Sequence, residues 1–426
     1  MSQQPLFNLE EIFDRPLRRY ELFFSILDLS SLDKTSLLGR KPVSKSAIAR
    51  SLIFKNLRSI ANLSDLSYEL FERPALASVL GFTPGDRHVP IERFSSFLKD
   101  TDNSLLQEVR VSLVKKLIGL GIIKGKYLSV DSCPIMANVK ENNLKTNVRN
   151  RFAQSKHPKN DKDCRLGIFP TFTSGKAKAE FFWGYRNHII NDCVSELPLV
   201  ETTLPANVRG THVIIGQLET VKDSLFLKSS AVIADSEYDS SAIIEYIVKN
   251  LGARPRISLN PRRGVPSTTE INSSGIPICI AGFKMISRGI FWDKGKSRKR
   301  HKFVCPIKGS KKFAKDNPYC PWFHPSFIEG SGCYRYLRVD VDESIRAAID
   351  YQSESFKKDF SKRTSSERVF SRLLSILMQK PSVTGLSATA NLCTISHITV
   401  LAVAYFSSFV KEPNKIRFVK SFLPNF

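Results

Sequence analysis

Apolar and polar positions in the first part of the chain follow a helical rhythm. From Ser44 to about Leu80, the residues Ile48, Leu52, Ile53, Leu57, Ile60 and Leu63 fall on one stripe, and Lys45, Arg50, Lys55 and Arg58 fall outside it. Pro74, Gly81, Pro84, Gly85 and Pro90 punctuate the next segment; a further helical stretch runs from Leu105 to Ile118 and ends at Gly119 and Gly121. Residues 1–122 therefore read as a helical domain.

The period then changes. Lys126 to Asp131 has the composition of a short strand that delivers a carboxylate at its end, with Pro134 expected to stop it. Asn138 to Arg165, crowded with Asn, Lys, Arg and Asp, reads as an exposed and solvated loop. Phe181 to Asp192 and Leu199 to Leu204 read as antiparallel strands, the second closing at Pro205-Ala-Asn207. Ala231-Val-Ile-Ala is an apolar run that ends in Asp235, and a helical stretch from Ser240 to Lys249 comes after it. Thr364 to Gln379 reads as a helix that buries Val369, Phe370, Leu373, Ile376 and Leu377. The apolar stretch Ile395 to Val410 is broken by Ser396, His397, Thr399, Ser407 and Ser408, which predicts a buried helix and no membrane span. The expected organisation is a helical domain over 1–122, a first core segment over 123–254, an insertion rich in Pro, Gly and aromatic residues over 255–345, and a closing core segment over 346–426.

Composition narrows the function. With 426 residues and 42% hydrophobic content the chain has material for real cores. Lys and Arg outnumber Asp and Glu by 64 to 40, and a net charge of +24 attracts polyanions; nucleic acid is the natural partner, with a generally basic or ribosome-associated protein as the plain alternative. Met1 to Arg15 is polar and carries Glu10, Glu11 and Asp14, unlike a secretory leader, so a cytoplasmic location is expected. The eight cysteines are spread too widely for a disulfide framework. Cys305, Cys320 and Cys333, with His301 and His324 nearby, form the one zinc set that spacing suggests, against ordinary buried thiols as the simpler reading. Lys294, Arg298, Lys299 and Arg300 belong to a basic cluster that suits a DNA backbone, or forms a solvated loop.

Two-metal phosphoryl transfer requires acidic oxygen ligands around two divalent ions held roughly 3.5–4 Å apart. Asp131 and Asp235 at strand ends and Glu367 on a helix have the right chemistry. Each also has a bland reading: strand-end Asp residues form turns, and Thr364-Ser-Ser-Glu367 fits a helix capping box.

Five blocks bear on that choice. Tyr127-Leu-Ser-Val-Asp131-Ser, Phe182-Trp-Gly-Tyr-Arg-Asn-His188, Leu197-Pro-Leu with Pro205-Ala-Asn207, Ala234-Asp235-Ser-Glu-Tyr238 and Ser366-Glu367-Arg-Val-Phe-Ser-Arg372 resemble, in order, the blocks of DDE-type insertion-sequence transposases of bacteria and archaea. Leu63 to Phe97 resembles the helical region before the family's catalytic core. The resemblance implies an α/β fold: an RNase H-like mixed-sheet core with an N-terminal helical domain and a subdomain inserted between the second Asp and the Glu. It implies Asp131, Asp235 and Glu367 as ligands of two Mg2+ or Mn2+ ions, double-stranded DNA as partner at element ends and target, and a homodimer. Arg363, four residues before Glu367, matches the family and suits a phosphate clamp; Phe360 and Leu374 stand where the family has Tyr and Lys. Arg186 and His188 are candidates beside the scissile phosphate or structural strand residues, and Asn207 lines the site or caps a turn. A catalytically inactive or domesticated DNA-binding copy, and an RNase H-like nuclease with another substrate, are the competing functions.

Overall fold

The computed structural model describes residues 17–33, 43–83, 86, 89–173, 176–260 and 268–419, with backbone alone for 169–173 and 176–178. Met1 to Arg15, Pro84 and Gly85 lie outside the described residues. The chain divides into two compact units, one of residues 1–227 with 363–426 and the other of 228–362.

The first unit begins with helices α1 (Arg18–Ser25), α2 (Lys45–Leu57), α3 (Leu63–Glu72), α4 (Pro74–Leu80), α5 (Ile91–Asp100) and α6 (Asn103–Gly119). Their ends obey the chemistry of the termini. Ser44 caps α2 by accepting the Ala47 N–H, Asp102 caps α6 by accepting the Ser104 N–H, and α4 starts at a proline and stops at Gly81 with φ +98°. Lys55 does not face outward as the helical stripe suggested. It is buried along with Ser46, Ser51 and Asn56, because α2 is covered on all sides, and that burial pushes its amine down to about 8.

Strands β1 (Tyr127–Met136), β2 (Arg165–Thr173), β3 (Lys176–Asp192) and β4 (Leu197–Pro205) are antiparallel, and the short helix α7 (Ile214–Glu219) comes next. The long β3 pairs with β2 along its first half and with β1 and β4 along its second. The change happens at Gly184, where any Cβ would stand 2.1 Å from the Ile135 carbonyl oxygen. β1 runs through Pro134 to Met136, so the proline does not end it as expected. The polar run after it is largely exposed, as expected of a loop, but it is anchored from beneath. Trp183 and Tyr185 are buried beneath it, Trp183 Nε1–H donating to the Arg151 carbonyl at 2.8 Å and Tyr185 O–H to Asp161 at 2.6 Å. Asn142 completes the lock, donating to the Ala137 and Trp183 carbonyls at 2.8 Å each.

In the second unit, β5 (Ala231–Ala234), α8 (Ser241–Lys249) and β6 (Arg254–Ile257) make a parallel β-α-β element. Beyond it lie a hairpin, β7 (Thr268–Ile271) and β8 (Pro277–Cys279), and an antiparallel sheet in which β10 (Arg298–Val304) runs between β9 (Ile286–Asp293) and β11 (Tyr334–Arg338). Short helices α9 (Pro306–Gly309), α10 (Lys311–Asp316), α11 (Pro325–Ile328), α12 (Glu343–Ala347) and α13 (Glu354–Phe360) fill the rest. Two buried carboxylates pin the unit: Asp239 receives both arms of Arg346 at 2.5 and 2.6 Å, and Asp359 receives Arg256 at 3.0 Å.

The chain returns to the first unit with α14 (Thr364–Ser375) and α15 (Leu386–Phe409). α14 stops short of Gln379, and Leu377 is exposed in a left-handed turn at φ +67°, while Val369, Phe370, Leu373 and Ile376 are buried as expected. α15 is long and apolar enough to cross a membrane, yet 83% of its most apolar window is buried inside the protein. Asp161 and Asp163 accept the backbone N–H groups of Gly385 and Leu386 at its start, each at 3.0 Å, where a carboxylate also meets the positive end of the helix dipole.

Candidate active site

Asp131 lies in the middle of β1, opposite Ile189 of β3. α14 is stitched to the same face. The Ser366 hydroxyl stands 2.7 Å from Ser129 Oγ and 2.8 Å from Asn191 Oδ1, and Asn191 Nδ2 donates to Ser365 Oγ at 3.0 Å. From this anchored turn Arg363 and Glu367 reach forward. Arg363 Nη1 is 3.6 Å from Asp131 Oδ2, and its Nη2 is 2.5 Å from Glu367 Oε1. One cation thus already serves two carboxylates, Asp131 at 20% side-chain exposure and Glu367 at 56%. The capping-box reading of Glu367 does not hold: Arg363 enters α14 with helical angles, φ −54° and ψ −34°, and no side chain caps the helix.

Asp235 belongs to the second unit. It directly succeeds the fully buried strand β5, and its carboxylate accepts the Glu237 N–H at 2.9 Å, starting the turn Ser236–Tyr238. The turn-forming role suggested by its position is therefore real.

Carboxylate oxygens suit hard divalent cations. Asp131 and Glu367 have that chemistry, and the Arg363 guanidinium pairs with both. Among the described residues, no group of three or more His, Cys, Asp or Glu is arranged to hold a metal ion.

Arg186 and His188 do not join Asp131. They pair across β1 with Pro134 and Ser132, and the alternation of side chains along a strand puts them on the opposite face. His188 is 1% exposed, neither ring nitrogen has a hydrogen-bond partner, and burial, then Arg186, lowers it to about 4. Arg186 donates to Ser132 Oγ at 3.3 Å and to the Ile168 carbonyl at 2.6 Å. Asn207 is exposed in the turn after β4.

Cys305, Cys320 and Cys333 do come together, joined by Cys279, which spacing did not single out. All four are buried free thiols packed with Met285, Phe303, Ile307 and Leu337, and burial, then the neighbouring cysteines, pushes Cys333 up to about 11. Among the described residues they are not arranged as a metal-holding group. The two histidines are engaged elsewhere: His324 Nδ1 accepts the Ser326 N–H at 3.1 Å, and His301 Nε2 lies 2.6 Å from Ser287 Oγ.

Of the basic cluster, Lys294 occupies the turn after β9, while Arg298, Lys299 and Arg300 lie on β10. Arg335, Tyr336 and Arg338 of β11 line a cleft with Arg298 and Arg300. Sequence spacing missed these three, although the alternation Tyr334-Arg-Tyr-Leu-Arg338 carried the signal of a half-exposed strand.

No protein-family model matches this chain, and no curated protein matches it. Among solved structures, it is similar to that of a piggyBac transposase synaptic complex with hairpin DNA. The identity is 13% and the TM-score 0.38, over 99% of this chain and 81% of that one. A likeness of that strength fixes neither fold nor function.

Proposed function

We propose that this chain is a DDE-type transposase that binds the ends of a DNA element and cuts and joins DNA strands, with Asp131, Asp235 and Glu367 as ligands of two Mg2+ or Mn2+ ions. The observation that carries the reading is the convergence of Asp131 and Glu367, far apart in sequence, on the guanidinium of Arg363. The net charge of +24 supports a DNA partner. The antiparallel β4-β3-β1 block and the parallel β5-α8-β6 element are the two kinds of part that an RNase H-like core combines. We take the active form to be a homodimer.

Bound divalent ions would activate the attacking oxygen and neutralise the leaving one. Asp131 and Glu367 supply acidic oxygens, and the Ser129, Asn191, Ser365 and Ser366 contacts keep them in register. Arg363, released from the carboxylates, offers two parallel N–H donors to a phosphate. A second reading, a DNA-binding protein without catalysis, is favoured by one observation. Phe360, where the family has Tyr, is stacked on Phe356 with centroids 5.7 Å apart and presents no hydroxyl to a substrate.

The test is cleavage of DNA carrying the element's ends, with and without magnesium, by the wild type and by Asp131→Asn, Asp235→Asn and Glu367→Gln. Each variant is expected to lose magnesium-dependent nicking while retaining DNA binding. A triple variant that still cuts would sink the assignment, and binding without cutting by the wild type would establish the second reading.

A further inference from the structure

The sheet β9-β10-β11 has two unlike faces. Phe303 of β10 and Leu337 of β11, diagonal neighbours in the register, turn to the thiol core and are 2% and 7% exposed. The alternate positions turn away from that core. There the register sets Arg300 between Phe291 and Arg338, and Lys302 opposite Tyr336. Three rings form a continuous row, with Phe291 and Tyr336 at 5.5 Å between centroids and Tyr336 and Tyr334 at 5.3 Å, and Arg300 lies over Tyr336 at 5.4 Å. Tyr334 remains 57% exposed and Phe291 39%. The hairpin from Ile286 to Val304 carries seven Lys and Arg residues against the single acid Asp293.

A row of open rings among cations is suited to one kind of partner. Cations alone would satisfy a duplex, whose base faces are hidden in the stack; exposed rings add binding only for bases whose faces are free. We infer that this face binds single-stranded DNA, its rings stacking on unpaired bases and its Arg and Lys side chains tracking the phosphates. The choice of DNA over RNA rests on the transposase reading.

A seat for a phosphate lies beside Tyr336, the middle ring of the row. Arg298, Arg300, Arg335 and Arg338 line a cleft together with Asp239 and Ser241, which come one short turn after Asp235. Acids share it: Arg300 pairs with Asp293 at 2.9 Å, Arg335 with Glu343 at 3.1 Å and Arg338 with Asp340 at 2.5 Å. A guanidinium has five N–H donors, so one carboxylate does not exhaust it, and Arg300 Nε is buried with no hydrogen-bond partner. A strand laid along the rings would set a phosphate in this cleft.

The experiment is fluorescence anisotropy of the full chain, without divalent metal, against labelled oligodeoxythymidine of about 20 nucleotides, a duplex of equal length and an oligouridine. Phe291→Leu with Tyr334→Leu should weaken single-strand binding roughly tenfold and duplex binding less than twofold, at unchanged thermal stability. Arg298→Gln with Lys302→Gln should weaken both. Equal effects of the aromatic pair on single strand and duplex, or none, overturn the inference, as does tighter binding of the RNA. The two proposals fail separately. A protein that cuts DNA while its aromatic variant binds single strands normally refutes only this one, whereas a wild type that never cuts but loses single-strand binding in that variant refutes only the catalytic reading.

Discussion

Helix α15 and the sheet β9-β10-β11 invert the usual relation between polarity and position. α15 hides polar groups: Asn391, Thr394, Ser396, His397 and Thr399 are all buried. They persist there because each has somewhere to bond. Thr394 donates to Glu201 at 2.6 Å, Asn391 Nδ2 donates to the Leu98 and Thr101 carbonyls at 2.8 Å each, and His397 Nε2 donates to Asn187 Oδ1 at 2.9 Å. The sheet instead leaves aromatic rings in water and mixes them with cations. A buried polar group with a partner holds one arrangement of the chain, whereas an uncovered ring contributes little to folding and is available to something else.

Breaking the buried side of this contrast should have the largest effect. Arg110 is 2% exposed, donates to Gln107 Oε1 at 2.6 Å and to the Leu199 carbonyl, and its charge offsets that of buried Glu201. Arg110→Ala leaves that carboxylate uncompensated, and about 3–5 kcal/mol of stability should be lost in urea unfolding. A change below about 1 kcal/mol would show that the network is not what holds α15.

Acid probes the same interior more gently. Burial holds His188 and His397 at about 4, below the ordinary 6.5, so both are neutral in the folded chain at neutral pH. The unfolded chain takes up protons as pH falls below 6.5, and the folded one does so only near 4. The stability gained by keeping them neutral is full above the upper value and is lost across that window, by roughly 1 kcal/mol per pH unit for each histidine. His188 makes no side-chain hydrogen bond, so His188→Leu should shallow the slope of urea midpoint against pH; an unaltered slope would place the titration elsewhere.

On the sheet the expected effect is smallest. Phe291→Ser with Tyr334→Ser should shift stability by no more than about 0.5 kcal/mol per site, since neither ring is buried. A large loss of melting temperature would mean that the rings belong to the core after all, and the contrast would fail.

Much of the fold was legible where one local rule acted alone. The strand-acid-helix order around Asp235, the strand ending at Asp192 and the buried helix around His397 arise from periodicity and length. The failures share a cause, which is a neighbour distant in sequence. Pro134 remains in a strand because β3 pairs with β1 along its whole length, and Lys55 is buried because other helices surround α2. At the site, residue chemistry offered Asp131 and Glu367 and the family resemblance added Arg363, but only the pairing register separates Asp131 from Arg186 and His188. Cys279 was missed because its partners come from three later segments.

The turn at Asp235 has a consequence for how such a gene ages. Its carboxylate starts the helical turn by accepting a backbone N–H, a task that asparagine performs about as well. A single base change from Asp to Asn would therefore remove a charge without disturbing the local shape. Natural drift at this codon would yield a chain that folds and accumulates as before but lacks the acidic oxygen that the proposed chemistry requires.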